Sequence, residues 1–462
     1  MPPAGRAVFE RPVAPADVDA LVRQGCRDCL IRALDEAQPA SSSRAYEIAA
    51  LLLLRARELG LPQQPWAERM AALEPLDPAW AVYQEVLAAI PPDPRGGDRE
   101  LLLAQTMPRR EAAAKLEGWR AALAGAPGSP EFRTYLDLSL ACEYAPGADW
   151  VRTADAALTA FPDVPLLHYR VGVCGGERDI PRLRALRAAH PEFVDADYAL
   201  ARQAVGDREA PDQEDALRRF QAAAAAFPDS PAILSGLGQL HEDREEWEDA
   251  VAAYDRALAL VPTHRDAWLG RTIALSNLLR RDEAIAAAGR LIELGSWFLA
   301  QAHYWRAWNL FHQERYPEAR LDTDAAKAGT ADPAVFVLSG MIEWREHRLE
   351  TAEREFREAL RLDAQQCEAG TFLAAVLAER GRGADSLATF SRTRECFERY
   401  IAGRRAEIAR IEAGTGSPET KARHRAREER GLADAVMRRD EAARNERALR
   451  QRLGLDGPRS GG

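Results

Sequence analysis

PAILSGLGQLHEDREEWEDAVAAYDRALALVPTH, residues 231–264, reads as two amphipathic helices joined by a short polar turn and closed by a proline. In the second half, Ala250, Tyr254 and Ala257 stand four and three residues apart and so share one helical face. In the first half, Leu234 and Gly238 do the same. A small residue such as Gly238 lets the two helices approach closely, while bulky ones fill the space alongside. Pro262 then ends the pair, because it cannot continue a helical hydrogen-bond ladder.

The arrangement recurs downstream. Ala250, Ala284, Ala319, Ala352 and Ser386 are separated by 34, 35, 33 and 34 residues. Four residues beyond each come Tyr254, Ala288, Thr323, Phe356 and Phe390, and three further come Ala257, Leu291, Ala326, Ala359 and Thr393. On the preceding helix the small position recurs as Gly238, Thr272, Ala307, Gly340 and Ala374, with Leu234, Trp268, His303, Phe336 and Gly370 four residues earlier. On these residues the chain resembles the tetratricopeptide-repeat family, whose period is 34. The resemblance implies an all-α, helix-turn-helix superhelical solenoid in which each pair buries the stripe its neighbour leaves bare. It also implies that Trp268 fills a gap between helices. His303 and Gly370 depart from the pattern, and the closing proline is missing after Pro262.

Working outward, the stretches AFPD (160–163), AHPE (189–192) and AFPD (226–229) extend a weaker version of the same signal upstream. The array is expected over 197–400, with degenerate repeats over 98–196. Residues 1–97 follow no regular beat, and PPDPRGG (91–97) reads as a linker. Apolar stripes over 18–37 and 44–60 predict a helical hairpin that caps the array. Beyond Tyr400 the composition turns to Arg, Glu and Ala, which predicts charged, coiled-coil-like helices over 401–453. GTGSP (414–418) should break them into two pieces that fold back, and 454–462 reads as a disordered tail.

Composition narrows the function. Hydrophobic residues at 47% and charged residues at 29% suit a helical protein in water, and the net charge of -10 argues against a surface built to track nucleic acid. No secretory signal is legible in the first fifteen residues, and the apolar run 48–54 is too short to span a bilayer, so a cytoplasmic protein without a transmembrane segment is expected. Cys142, Cys174, Cys367 and Cys396 read as small buried hydrophobes rather than a disulfide framework. Cys26 and Cys29 form half a zinc site at most, with no second pair to complete it. The basic run Lys421, Arg423, His424, Arg425, Arg427 and Arg430 lacks interleaved aromatics and is accompanied by Glu428 and Glu429, so it reads as a solvated helix face with salt-bridged neighbours. No phosphate loop, nucleophile elbow or zinc helix occurs, so neither catalysis, a cofactor, a metal nor a small-molecule substrate is expected.

The family resemblance assigns the second, fifth, ninth and twelfth positions of each copy to a concave groove. These positions supply Tyr304, Trp308, Phe311, Val337, Met341 and Trp344, and so predict an aromatic centre that takes a segment of a protein or peptide partner. The corresponding fifth and ninth positions carry no Lys, Arg and Asn set for gripping a free carboxylate. The alternative is a structural component that self-associates through its charged C-terminal helices.

Overall fold

A computed structural model describes residues 17–37, 42–73, 77–90, 109–145, 147–205, 213–414 and 417–455. The expected linker at 91–97, the first sixteen residues and the tail from 456 onward lie outside them. The described residues are helical throughout, with no strand among them. Contacts divide the chain into two compact units, one of Met1–Gln203 with Arg218–Ile233 and one of Ala204–Leu217 with Leu234–Gly462.

Unit 1 contains α1 (Val18–Gln24), α2 (Arg27–Ala37), α3 (Ser42–Leu59), α4 (Gln64–Ala72), α5 (Ala81–Ala89), α6 (Arg109–Gly125), α7 (Pro130–Tyr144), α8 (Ala148–Ala160), α9 (Pro165–Cys174), α10 (Ile180–Ala189) and α11 (Asp195–Ala201). The stripe expected as one helix over 18–37 is two, because Gly25 adopts φ 72° and ends α1. A Cβ there would also stand 2.5 Å from the Leu166 side chain. One apolar core runs from Leu21 to Leu200, so the stretches expected as a cap and as degenerate repeats share their interior.

That core encloses charge. Arg55 is fully buried, lies 3.7 Å over the Tyr169 ring, and pairs with Glu58 and with Asp195 at 2.7 Å. Arg170 Nη1 and the Tyr135 hydroxyl complete the shell of Glu58 at 2.6 and 2.9 Å. Two buried cations thus face two buried carboxylates, a balance that burial demands.

Helix α12 (Gln213–Ala226) and α13 (Pro231–Asp243) contribute to both units. Unit 2 continues through α14 (Trp247–Leu260), α15 (Arg265–Asn277), α16 (Arg281–Leu294), α17 (Leu299–His312), α18 (Tyr316–Gly329), α19 (Pro333–Arg345), α20 (Leu349–Leu362), α21 (Cys367–Glu379), α22 (Gly383–Ala413) and α23 (Pro418–Arg452). Each helix packs on the next, and the first helices α15, α17, α19 and α21 also touch one another in succession. This is the stacking that the 34-residue period implies.

The repeat residues do what their size dictates. Leu234, Gly238, Ala250, Tyr254, Ala257, Ala284, Ala319, Gly340, Ala352, Phe356 and Ala359 are buried. Pro262 is exposed, and Phe336 and Trp268 are only half-buried. Trp268 therefore corrects the expectation of a filled interhelical gap: its ring lies partly in solvent and its Nε1 donates to the Pro262 carbonyl at 2.9 Å. His303 is accommodated because Asp322 on α18 accepts from it at 2.7 Å and from Arg306 at 2.7 and 2.6 Å.

The turn between paired helices carries a second periodic signal. Glu245, Leu279, Glu314, His347 and Gly381 all adopt positive φ, between 57° and 75°. The following residue in each case, Glu246, Arg280, Arg315, Arg348 or Arg382, donates its backbone N–H to the carbonyl five residues back, at 2.8–3.0 Å. This left-handed cap satisfies carbonyls that the first helix leaves open and turns the chain into the second.

The cysteines differ from the sequence expectation. Cys26–Cys29, Cys142–Cys174 and Cys367–Cys396 are disulfides, so none of the six is a plain buried thiol. Sequence reasoning treated Cys142, Cys174, Cys367 and Cys396 singly, whereas their pairing depends on which helices the fold sets side by side. Disulfides are characteristic of oxidising compartments.

Candidate partner-binding groove

Four of the six residues expected to form the groove present surface. Tyr304, Trp308, Met341 and Trp344 are half-buried, on α17 and α19. Tyr304 stacks on Trp308 with centroids 6.5 Å apart, and Trp308 meets the His312 ring edge-on at 4.6 Å. Met341 packs against both the α17 cluster and the α19–α21 cluster, and so joins them into one apolar surface. Trp344 lies 6.1 Å from Phe372 and donates its Nε1 to Glu379 at 3.0 Å.

Phe311 and Val337 are buried. Phe311 packs toward α18 against Tyr316, and Val337 belongs to the cluster around Phe356. Both support the surface from beneath, because the second helix of each pair covers them. Phe372, which sequence reasoning passed over, contributes instead. It lies between Phe356, at 5.5 Å, and Trp344. The signal was available, since Gly370 vacates the usual bulky position and Phe372 is the only aromatic residue of α21.

The surface has an acidic flank. Burial pushes the Tyr304 hydroxyl up to about 12, and Asp332 and Glu368 add to the effect by their negative charge. With Glu379 on the Trp344 indole, the apolar patch is bordered by carboxylates.

Two other clusters have chemistry of their own. His241, Glu246 and Asp249 could bring one ligand atom each within 4.8 Å of one another. A cation already serves Glu246, however, since Arg244 Nε lies 2.9 Å from both of its oxygens. A cleft of about 520 Å³ lies along the C-terminal hairpin, lined by the Cys367–Cys396 disulfide, Arg399, Tyr400, Arg404 and Glu428. Arg404 is committed there to Glu428 at 2.6 Å. The basic run of α23 is salt-bridged to its neighbours as expected, with Arg425 to Glu429 at 2.7 Å, while Arg423 reaches beyond the helix to Gln213 at 2.7 Å. No helix among the described residues is long and apolar enough to cross a membrane.

Residues 209–271 match the tetratricopeptide repeat family. No curated protein matches the chain by sequence. Among solved structures, MamA (residues 41 to the end) from Desulfovibrio magneticus RS-1 is 18% identical and covers 37% of this chain and 96% of its own, with a TM-score of 0.34. PilF from Pseudomonas aeruginosa is 18% identical and covers 48% of this chain and 99% of its own, with a TM-score of 0.38. YrrB, described as a tetratricopeptide-repeat protein with an unusual peptide-binding site, is 18% identical over 38% of this chain and 91% of its own, at 0.34.

Proposed function

We infer that this tetratricopeptide-repeat protein is a non-enzymatic scaffold that holds a segment of another protein against the first helices of its array. The observation that carries this reading is the continuous, half-buried aromatic surface of Tyr304, Trp308, Met341, Trp344 and Phe372. Contiguous apolar surface with aromatic anchors is characteristic of interaction sites rather than of ordinary protein exterior. The carboxylates at its border favour a partner segment carrying Arg or Lys beside its apolar anchors. Self-association through the charged C-terminal helices has less support, because Ile401, Leu432, Ala435 and Val436 already pack within the chain.

The test is the double substitution Trp308→Ala and Trp344→Ala. Capture of partners from the native cell, read by mass spectrometry, should be lost while the far-ultraviolet circular dichroism stays unchanged. A loss of helicity would instead assign both rings to the core, and undiminished capture would place the binding surface elsewhere. For the alternative, light scattering on a chain lacking 404–462 would show a reduced particle mass if that segment drives assembly.

A further inference from the structure

Helix α23 reaches well beyond the repeat on which it is seated. Arg423 Nη1 donates to Gln213 Oε1 at 2.7 Å, and its guanidinium also contacts Glu214; both partners open α12. Arg430 contacts Glu245, in the turn after α13. Arg438 lies 3.0 Å from Glu368, in the first turn of α21. One helix thus contacts the beginning and the end of the array in unit 2.

Its length makes this reach possible. The 31 residues of α22 and the 35 of α23, at about 1.5 Å per residue, extend roughly 46 and roughly 52 Å, against roughly 20 Å for an ordinary first helix of this array. The middle of the hairpin is held covalently to the last repeat by Cys367–Cys396 and by apolar packing of Phe397 and Ile401 on Ala435. Toward the tip, Thr420 and His424 are buried, and the charged contacts of Arg423 and Arg430 reach the start of the array.

We propose that α22 and α23 form a charge-operated clasp, anchored on the last repeat and latched to the first by Arg423 and Arg430, which sets how far the array opens. The latch opens from its exposed side: the Arg430 side chain is 61% exposed, whereas Arg423 is half-buried at 23%. An exposed pair such as that of Arg430 contributes little and is screened by salt, and the half-buried pair of Arg423 is screened less. Glu214 is also paired with Arg244 at 3.0 Å, so loss of Arg423 leaves no carboxylate stranded and the array itself stays folded. Trp308 and Trp344 lie on repeats between the two ends that the clasp joins, so opening the clasp changes the curvature of the surface they form.

The experiment is a spin-label distance measurement on the full chain. Labels enter as non-natural amino acids at the exposed positions Glu248 and Glu419, because all six cysteines are paired. At low salt a single short distance component is expected. Arg423→Glu with Arg430→Glu should lose that component while circular dichroism is unchanged, and adding Glu245→Arg should restore part of it. In the unaltered chain, raising salt to about 1 M, where the screening length falls to about 3 Å, should produce the same loss. A short component that survives both the double substitution and high salt would overturn the clasp. If the double variant proves poorly folded, the salt series on the unaltered chain decides alone.

Discussion

Gly340 and Phe356 show how single residues set the repeat. A Cβ on Gly340 would stand 2.6 Å from Phe356 Cε1, and Phe356 is fully buried with no room to retreat. The same contact recurs at 2.7 Å between Gly238 and Tyr254. Alanine would favour the helix by about 1 kcal/mol, but overpacking costs about 1–3 kcal/mol, so Gly340→Ala should lower stability by a net of up to ~2 kcal/mol in denaturant unfolding. Gly403, with nothing within 4 Å of its virtual Cβ, is the control: alanine there should stabilise. Equal effects at the two positions would mean that the close approach at Gly340 is absent. This scale was largely legible in the sequence, because a contact that tolerates only small residues leaves its mark at every period. Trp268 was misplaced, since spacing alone does not say how much of a large ring its neighbours cover.

At the scale of elements, the turn between paired helices was the feature least visible beforehand. Four of its five left-handed positions hold Glu245, Leu279, Glu314 and His347 rather than glycine, so no glycine punctuation announces them. The cap is reinforced at Glu246, where burial pushes the carboxyl up but hydrogen bonds from His241 and Arg244 outweigh it and bring it down to about 2. A carboxyl depressed in the folded state contributes stability that is fully present above its ordinary value of 4.5 and is lost as pH falls toward about 2. Glu246→Gln should therefore flatten the dependence of unfolding free energy on pH across that window, by up to one proton in slope. Parallel curves for the two proteins between those limits would show that Glu246 is not held by its neighbours. The disulfides belong to this scale too. Cys142 and Cys174 are 32 residues apart and Cys367 and Cys396 are 29 apart, each just short of one repeat, which is what adjacent helices supply.

For the whole molecule, the periodic half was readable and the rest was not, for a physical reason. Repeats bury the same stripe again and again, so the pattern is redundant. The core of unit 1 runs from Leu21 to Leu200 and is built around partners such as Arg55 and Asp195, which are distant in the chain and follow no period. The clasp was equally hidden, because the Arg423 and Arg430 partners lie some two hundred residues upstream. At the candidate binding surface, spacing gave the aromatic residues but not their depth: Phe311 and Val337 are buried, and Phe372 packs beside Trp344. The most direct test of the binding surface places a photo-crosslinking amino acid at Trp308 in the native cell, with the exposed Leu321 on the second helix of the same pair as the comparison site. A discrete crosslinked protein from position 308, absent from 321 and abolished by Trp344→Ala, is the expected result. The same products from both positions, or none from 308 in a correctly folded chain, would contradict it.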